Sequence, residues 1–405
     1  MKLDFRLPRR VRLVYFGRIG LGILRNYVTE EDYTIYENPR SRLNVWVALR
    51  MLLSGDRSEF SYYRAFLRFT RPKFVITMED NNVTFYATKV CLPSCKTLAI
   101  QNGLRKSLSP TRESNLMSDL RELVARGYDA DVIATLGGLG TDFVKTAMPN
   151  SRARIVEVGS LMNNALQLIH APTTDQPRIV FISKFPNRGV IGIDSTWASS
   201  TFIYSGEAAF TAEQYFKVDA EVARECAIIA QELEMEFVIL GKRPAWQIGE
   251  YDFYASHLDG LHWGYLPSVN QASSYVQLRK TDFLVNVDST IGYELLARGL
   301  RVAFITARMQ VAGHDEITEY RFGNPIIQDA TGPYWTSTAS SSEIRRVVDF
   351  IMGVSNQEWE VNTEHVRRIL LQFDPENTRL CTELDRWGVK NSGPRSWKRD
   401  LIPDN

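Results

Sequence analysis

The stretch TDFLVNVDSTIGYELLARGLRVAFI, residues 281–305, holds a dense set of residues that could do chemistry. Asp288, Ser289 and Thr290 stand between an apolar, β-branched run and a helical pattern. Side chains of these types favour helix mouths, where free backbone N–H groups, the positive end of the helix dipole and hydroxyls converge on an anion. Glu294, one turn further on, could accept from ribose or sugar hydroxyls. Lys184 follows the apolar run RIVFIS, and Lys242 and Arg243 follow FVILG. Fixed cations beside a helix N-terminus suit a phosphate or diphosphate. Plainer roles compete: Ser289 or Thr290 as a cap only, Glu294 on a solvated face, and Lys242-Arg243-Pro244 as a basic turn.

For proton transfer or nucleophilic attack the candidates are Glu157, Asp80, Asp194 and His262. Glu157 ends a strand pattern near an expected domain boundary; buried there, a carboxylate has a raised pKa and can act as a base. Asp80 is followed by Asn81 and Asn82, amides that could orient it or hold a sugar. Asp194 lies in VIGIDSTW, where capping is an equal alternative. His262 precedes Trp263 and also reads as a core histidine. Gln101, Asn102 and Arg105 follow the run TLAI and add polar groups at another strand end. No metal cluster, strand-end D-x-D, Walker A motif or G-x-G-x-x-G at a strand–helix junction is present, so no metal or dinucleotide cofactor is expected.

Positioning these residues requires strands that end together. Short apolar runs at 11–16, 33–37, 74–78, 97–101, 132–136 and 153–159 read as strands with helices between several of them. After a proline-bearing linker the pattern restarts at 178–183, 237–241, 261–266, 283–287 and 302–305, around a long amphipathic helix at 213–233. This alternation predicts an α/β fold of two Rossmann-like, doubly wound domains facing across a cleft, the GT-B architecture. The expected division is 1–170, a linker 171–177, 178–375, and a C-terminal helix and tail 376–405 that could return to the first domain. Lys106 to Asn115 reads as a mobile loop.

The chain has 405 residues, 44% hydrophobic and 23% charged, with a net charge of +1. Neutral balance argues against nucleic-acid binding. Four scattered cysteines suggest a reducing, cytoplasmic setting. No signal peptide or membrane-spanning run is expected, and membrane contact is at most peripheral, at the inner face.

Two stretches, MEDNNVTFYATKVCLPSCKTLAIQNGLR (78–105) and VDSTIGYELLARGLRVAF (287–304), resemble bacterial surface-carbohydrate enzymes similar to the capsule and O-antigen Kdo transferases. The resemblance implies a glycosyltransferase that uses a CMP-linked ulosonic acid, Kdo or a nonulosonate, and a glycan or glycolipid acceptor. It places the donor phosphate at Ser289, Thr290 and Glu294, with Lys184, Lys242 and Arg243 nearby. Asn81, Asn82, Gln101, Asn102 and Arg105 fall on the acceptor side. A UDP-sugar 2-epimerase, a teichoic-acid-type glycerophosphotransferase and a non-catalytic sugar-binding shell remain alternatives.

Overall fold

The computed structural model describes residues 2–104, 115–166, 176–185, 201–204, 208–247, 249–269, 273–318 and 320–393. Arg105, Asp194, the segment 106–114, most of the expected linker and the tail from 394 lie outside the described residues.

The chain forms two compact units. The first comprises the described residues up to 104, those from 115 to 164 and those from 374 to 393; the second comprises those from 165 to 373. The first unit is built on six strands: β1 (Leu13–Phe16), β2 (Tyr33–Tyr36), β3 (Phe74–Thr77), β4 (Lys96–Ile100), β5 (Val132–Thr135) and β6 (Arg154–Glu157). They lie in the order β2-β1-β3-β4-β5-β6, and every pair is parallel. Strands such as LVYF and FVIT are buried along their whole length, which is why they read as continuous apolar runs.

The second unit carries β7 (Arg178–Ile182), β8 (Glu236–Leu240), β9 (Gly264–Leu266), β10 (Phe283–Asn286), β11 (Val302–Ile305) and a short pair, β12 (Thr331–Gly332) and β13 (Trp335–Thr336). Their order is β9-β8-β7-β10-β11-β13-β12, parallel except for β12 against β13. In each sheet the chain first builds outward to one side and then resumes on the other. The reversal falls between β1 and β3 in the first sheet and between β7 and β10 in the second. Ligands of open α/β sheets bind beyond the carboxyl ends of strands at such reversals. Both units are thus Rossmann-like, and the α/β fold class of the GT-B proteins is the one observed.

The helices that shape the two sheet edges include α1 (Gly138–Ala147), α2 (Ala212–Glu232), α3 (Gly249–His257), α4 (Thr290–Ala297) and α5 (Arg308–Val311). The long helix α2 starts on a capping box, with Thr211 accepting from the Gln214 N–H and Gln214 accepting from the Thr211 N–H. A sixth, α6 (Thr378–Trp387), packs in the first unit. Arg154 of β6 pairs with Glu383, Arg379 donates to the Glu157 carbonyl, and Trp387 stacks on Phe74.

At the amino ends of β7 and β10, Arg178 forms a two-pronged ion pair with Asp282, at 2.9 and 2.7 Å, with both side chains removed from water. This pair clamps the two strands that flank the reversal. Asp282→Ala is expected to lower stability by about 3–5 kcal/mol in urea unfolding, because it strands a buried guanidinium. The joint replacement Arg178→Met/Asp282→Leu should recover part of that loss. A loss under about 1 kcal/mol for Asp282→Ala would show that the pair is not desolvated.

Candidate functional site

In the second unit, three parallel neighbours, β8, β7 and β10, deliver Lys242, Lys184 and Asp288 to one sheet edge at the reversal. The Lys184 ammonium lies 3.1 Å from the Asp288 carboxylate and donates to the Tyr215 hydroxyl at 3.1 Å. The Asp288 side chain is almost fully buried. It also takes a fork from Arg308 on α5, Nε at 2.8 Å and Nη2 at 3.0 Å. Arg308 itself has no water contact. It donates to Asp219 of α2 at 2.7 Å and to the Tyr215 carbonyl, with its guanidinium 4.0 Å from the centre of the Tyr215 ring.

The electrostatics follow from this geometry. Burial alone would push the Asp288 pKa up, but the Arg308 and Lys184 charges override it and hold the carboxyl well below the usual range. Burial dominates at Asp219 and raises its pKa despite Arg308. Desolvation, followed by repulsion from Arg243 and Lys184, holds the Lys242 ammonium below the usual lysine range. Water still reaches the Lys242 side chain, which is exposed.

A second buried acid shapes the same edge. Glu250, fully buried on α3, accepts from the Ser183 hydroxyl, the Lys242 N–H at 3.0 Å, the Arg243 N–H at 2.7 Å and the Tyr265 hydroxyl at 2.9 Å. It therefore joins the turns after β7 and β8 to β9. Arg243 is buried and donates to the Phe185 carbonyl at 2.9 Å, so its guanidinium braces the turn after β7.

The mouth of α4 departs from a simple cap. Ser289 is the N-cap residue, yet its hydroxyl makes no capping bond. The turn is tied instead by buried Asn286, whose amide oxygen accepts from the Ser289 N–H and whose nitrogen donates to the Ser289 carbonyl, both at 3.2 Å. Gly292 is required there, since a β-carbon would lie 2.3 Å from the Asn286 side chain. Thr290 opens the helix beside it. Glu294 is buried and takes a hydrogen bond from Tyr275, so it is no solvated face residue.

In the first unit the reversal brings Gly17, after β1, against Glu79, after β3. Gly17 has φ +82°, and a β-carbon on it would meet the Glu79 carboxylate. The Asn82 amide donates to Glu79 at 3.3 Å, and the Thr77 hydroxyl accepts from the Glu79 N–H at 2.8 Å. Asp80 lies beside it, half-buried, with its carboxylate 3.4 Å from the Asn102 N–H. Asn81 is exposed, and so is Asn102.

Several expectations change in this light. Glu157 ends β6, the outermost strand, three places from β3. It is half-buried rather than buried, with its carboxylate taken by the Thr141 hydroxyl of α1 at 2.9 Å. His262 is exposed and precedes β9, which puts it at the amino edge, opposite Lys184 and Lys242; the strand there is only Gly264–Leu266. Asn82 caps a short helix through the Thr84 N–H. Gln101 is buried, donating to the Gly103 carbonyl and accepting from the Leu136 N–H, so its amide braces two strand ends. Asp194 and Arg105 fall outside the described residues. Sequence reasoning missed Arg308, Asp219, Glu250 and Asn286, and it passed over Glu79 within a strand-end cluster it had noticed. Among the described residues no group of three or more His, Cys, Asp or Glu is placed to hold a metal ion.

Two Rossmann-like units, the second with a cationic edge beside a helix mouth, define an α/β protein of the doubly wound class. The chain belongs to the family described as "putative O-antigen biosynthesis protein", whose model matches residues 98–387. It is thus a protein of surface-polysaccharide biosynthesis. No curated protein sequence matches it. Among solved structures it is similar to the wall teichoic acid polymerase TagF, at 10% identity over 95% of this chain and 89% of the other, with a TM-score of 0.48. It is also similar to S. aureus MnaA solved with UDP, at 10% identity over 96% and 100% of the two chains, with a TM-score of 0.49.

The buried network sets a pH dependence. With its folded pKa depressed, Asp288 contributes stability that is present above the unfolded value of about 3.9 and is lost as pH falls toward the folded value. Asp288→Asn should therefore be less stable at pH 7 by about 3–5 kcal/mol. The gap to the unsubstituted protein should narrow below about pH 4. An equal gap at all pH values in urea titrations would show that Asp288 is not held ionised by Arg308 and Lys184.

Proposed function

We propose that the protein is a glycosyltransferase that moves a ulosonic acid, Kdo or a nonulosonate, from a CMP-linked donor to a glycan or glycolipid acceptor. The observation that carries this reading is the placement of Lys184 and Lys242 beside the Ser289–Thr290 helix mouth at the reversal of the second sheet. A CMP-ulosonate presents one phosphate and its own carboxylate. Two ammonium groups and backbone N–H donors can neutralise departing CMP, so the reaction on this reading needs no metal ion. Asp288 and Tyr215 hold two of the three Lys184 N–H donors, and the third serves the ligand.

In the transfer step the bond between the anomeric carbon and the phosphate oxygen breaks, and its electron pair leaves on CMP. The acceptor hydroxyl oxygen bonds to that carbon, and its proton passes to a carboxylate base. We assign that base to Glu79, which stands at the reversal of the first sheet, with Asp80 holding acceptor hydroxyls. Both assignments rest on strand-end placement and on the amide that orients Glu79.

A melting-temperature panel of CMP, UDP and CDP-glycerol, followed by product analysis with the matching donors, tests the donor class. CMP should stabilise the protein most, since a ligand of the native state raises its melting point. Lys242→Ala should weaken CMP by roughly 10–100-fold, the scale of a lost charge-assisted hydrogen bond of about 1.5–3 kcal/mol. Stabilisation by UDP or CDP-glycerol alone would move the assignment to an epimerase or a glycerophosphotransferase.

Glu79→Gln should cut turnover by about 10²-fold or more with CMP affinity little changed. Glu157→Gln, on the outermost strand, should turn over normally. If Glu79→Gln is fully active and Asp80→Asn is dead, the two acceptor-side roles are exchanged.

A further inference from the structure

Soluble proteins turn the apolar side of a surface helix inward. The helix Val45–Leu52 does the reverse: only Val47 is buried, while Trp46, Leu49 and Leu52, with Leu53 just beyond, face water. Leu53 is 89% exposed and Leu49 48%. Beside this helix runs the segment 2–10, which adds exposed Leu3, Phe5 and Leu7.

The two segments are built as one surface. Lys2–Asp4 pairs in parallel with Arg42–Asn44. The Trp46 indole N–H donates to the Phe5 carbonyl at 2.8 Å, and the Asn44 amide donates to the Arg6 carbonyl at 2.8 Å while its oxygen caps the helix. Seven of the fifteen exposed large apolar side chains among the described residues lie within 3–7 and 46–53. Such a concentration exceeds the scatter of single surface hydrophobics that needs no account.

Charge decides what covers this face. Residues 2–10 and 40–57 hold eight basic side chains against two acidic ones, in a chain whose net charge is only +1. Arg6, Arg9, Arg10, Arg40, Arg50 and Arg57 are all exposed. Two copies of so basic a face repel each other, whereas an anionic bilayer attracts it. Leucine, phenylalanine and an interfacial tryptophan rimmed by arginine match the boundary between headgroups and acyl chains. We infer that this face is a peripheral docking surface for an anionic lipid bilayer, laid on the interface without crossing it. No helix among the described residues is long and apolar enough to cross.

The inference is independent of the donor reading, and its test uses no nucleotide. The full chain is sedimented with vesicles of phosphatidylcholine and phosphatidylglycerol in equal parts, and with vesicles of phosphatidylcholine alone. It should bind the first, bind the second weakly, and lose binding as salt rises. Leu49→Asp/Leu53→Asp changes side chains that already face water, so the melting temperature should hold while vesicle binding falls by roughly tenfold or more. Arg50→Glu/Arg57→Glu should weaken binding to the anionic vesicles alone. Failure to bind anionic vesicles, or equal binding by the leucine variant, would overturn the inference. So would light scattering that shows a dimer of the full chain dissociated by Leu49→Asp/Leu53→Asp, which would assign the face to a second copy.

Discussion

A single guanidinium with no access to water, that of Arg308, fixes the carboxyl edge of the second sheet. It comes from α5, beyond β11, and reaches Asp288 in the turn after β10 and Asp219 on α2. Three elements far apart in sequence are thereby locked at one point. Lys184 takes its place as a consequence, since its ammonium rests on the Asp288 carboxylate that Arg308 holds ionised. Buried charges of this kind tolerate no missing partner: what remains is an uncompensated ion in a low-dielectric setting. The edge is therefore preorganised before any ligand arrives, a condition for electrostatic stabilisation of a leaving group.

The strands were legible because parallel strands covered on both faces carry unbroken apolar runs, as in RIVFI, EFVIL and VAFI. Their polar ends were legible for the same reason. Strand order was not, because it depends on which side each crossover takes. Without it, Glu157 and Glu79 look alike: both are acids at strand ends. The order places Glu79 at the reversal and Glu157 on the rim. The run at 261–266 hid a shorter strand, which left His262 at the amino edge.

Arg308, Asp219 and Glu250 were invisible for another reason. Asp219 sits in an amphipathic helix and Arg308 in the plain run TARMQ, where each reads as a surface charge. Their partners are 20 and 89 residues apart along the chain, so no local pattern signals burial. Asn286 ends the strand FLVN as one more residue of an apolar run, and its amide is seen to tie the turn only once Ser289 is placed beside it. The helix Val45–Leu52 is a different case: apolar spacing suits a helix there, but it does not say which side meets water. Membership of an O-antigen biosynthesis family sets these features within surface-polysaccharide biosynthesis.

The central claim is that the carboxyl edge of the second sheet receives the phosphate of a nucleotide. Amine-reactive labelling read by mass spectrometry, with and without saturating CMP, tests it at the residues themselves. Lys242, whose ammonium is held below the usual range, should react faster than ordinary surface lysines. Nucleotide should slow its labelling by about tenfold or more, since a bound phosphate both covers the amine and restores its proton. Labelling of Lys184 should slow with it, while surface lysines such as Lys73 and Lys217 stay unchanged. Unaltered labelling of Lys242 and Lys184 under nucleotide concentrations that stabilise the protein would contradict the claim and place the nucleotide elsewhere.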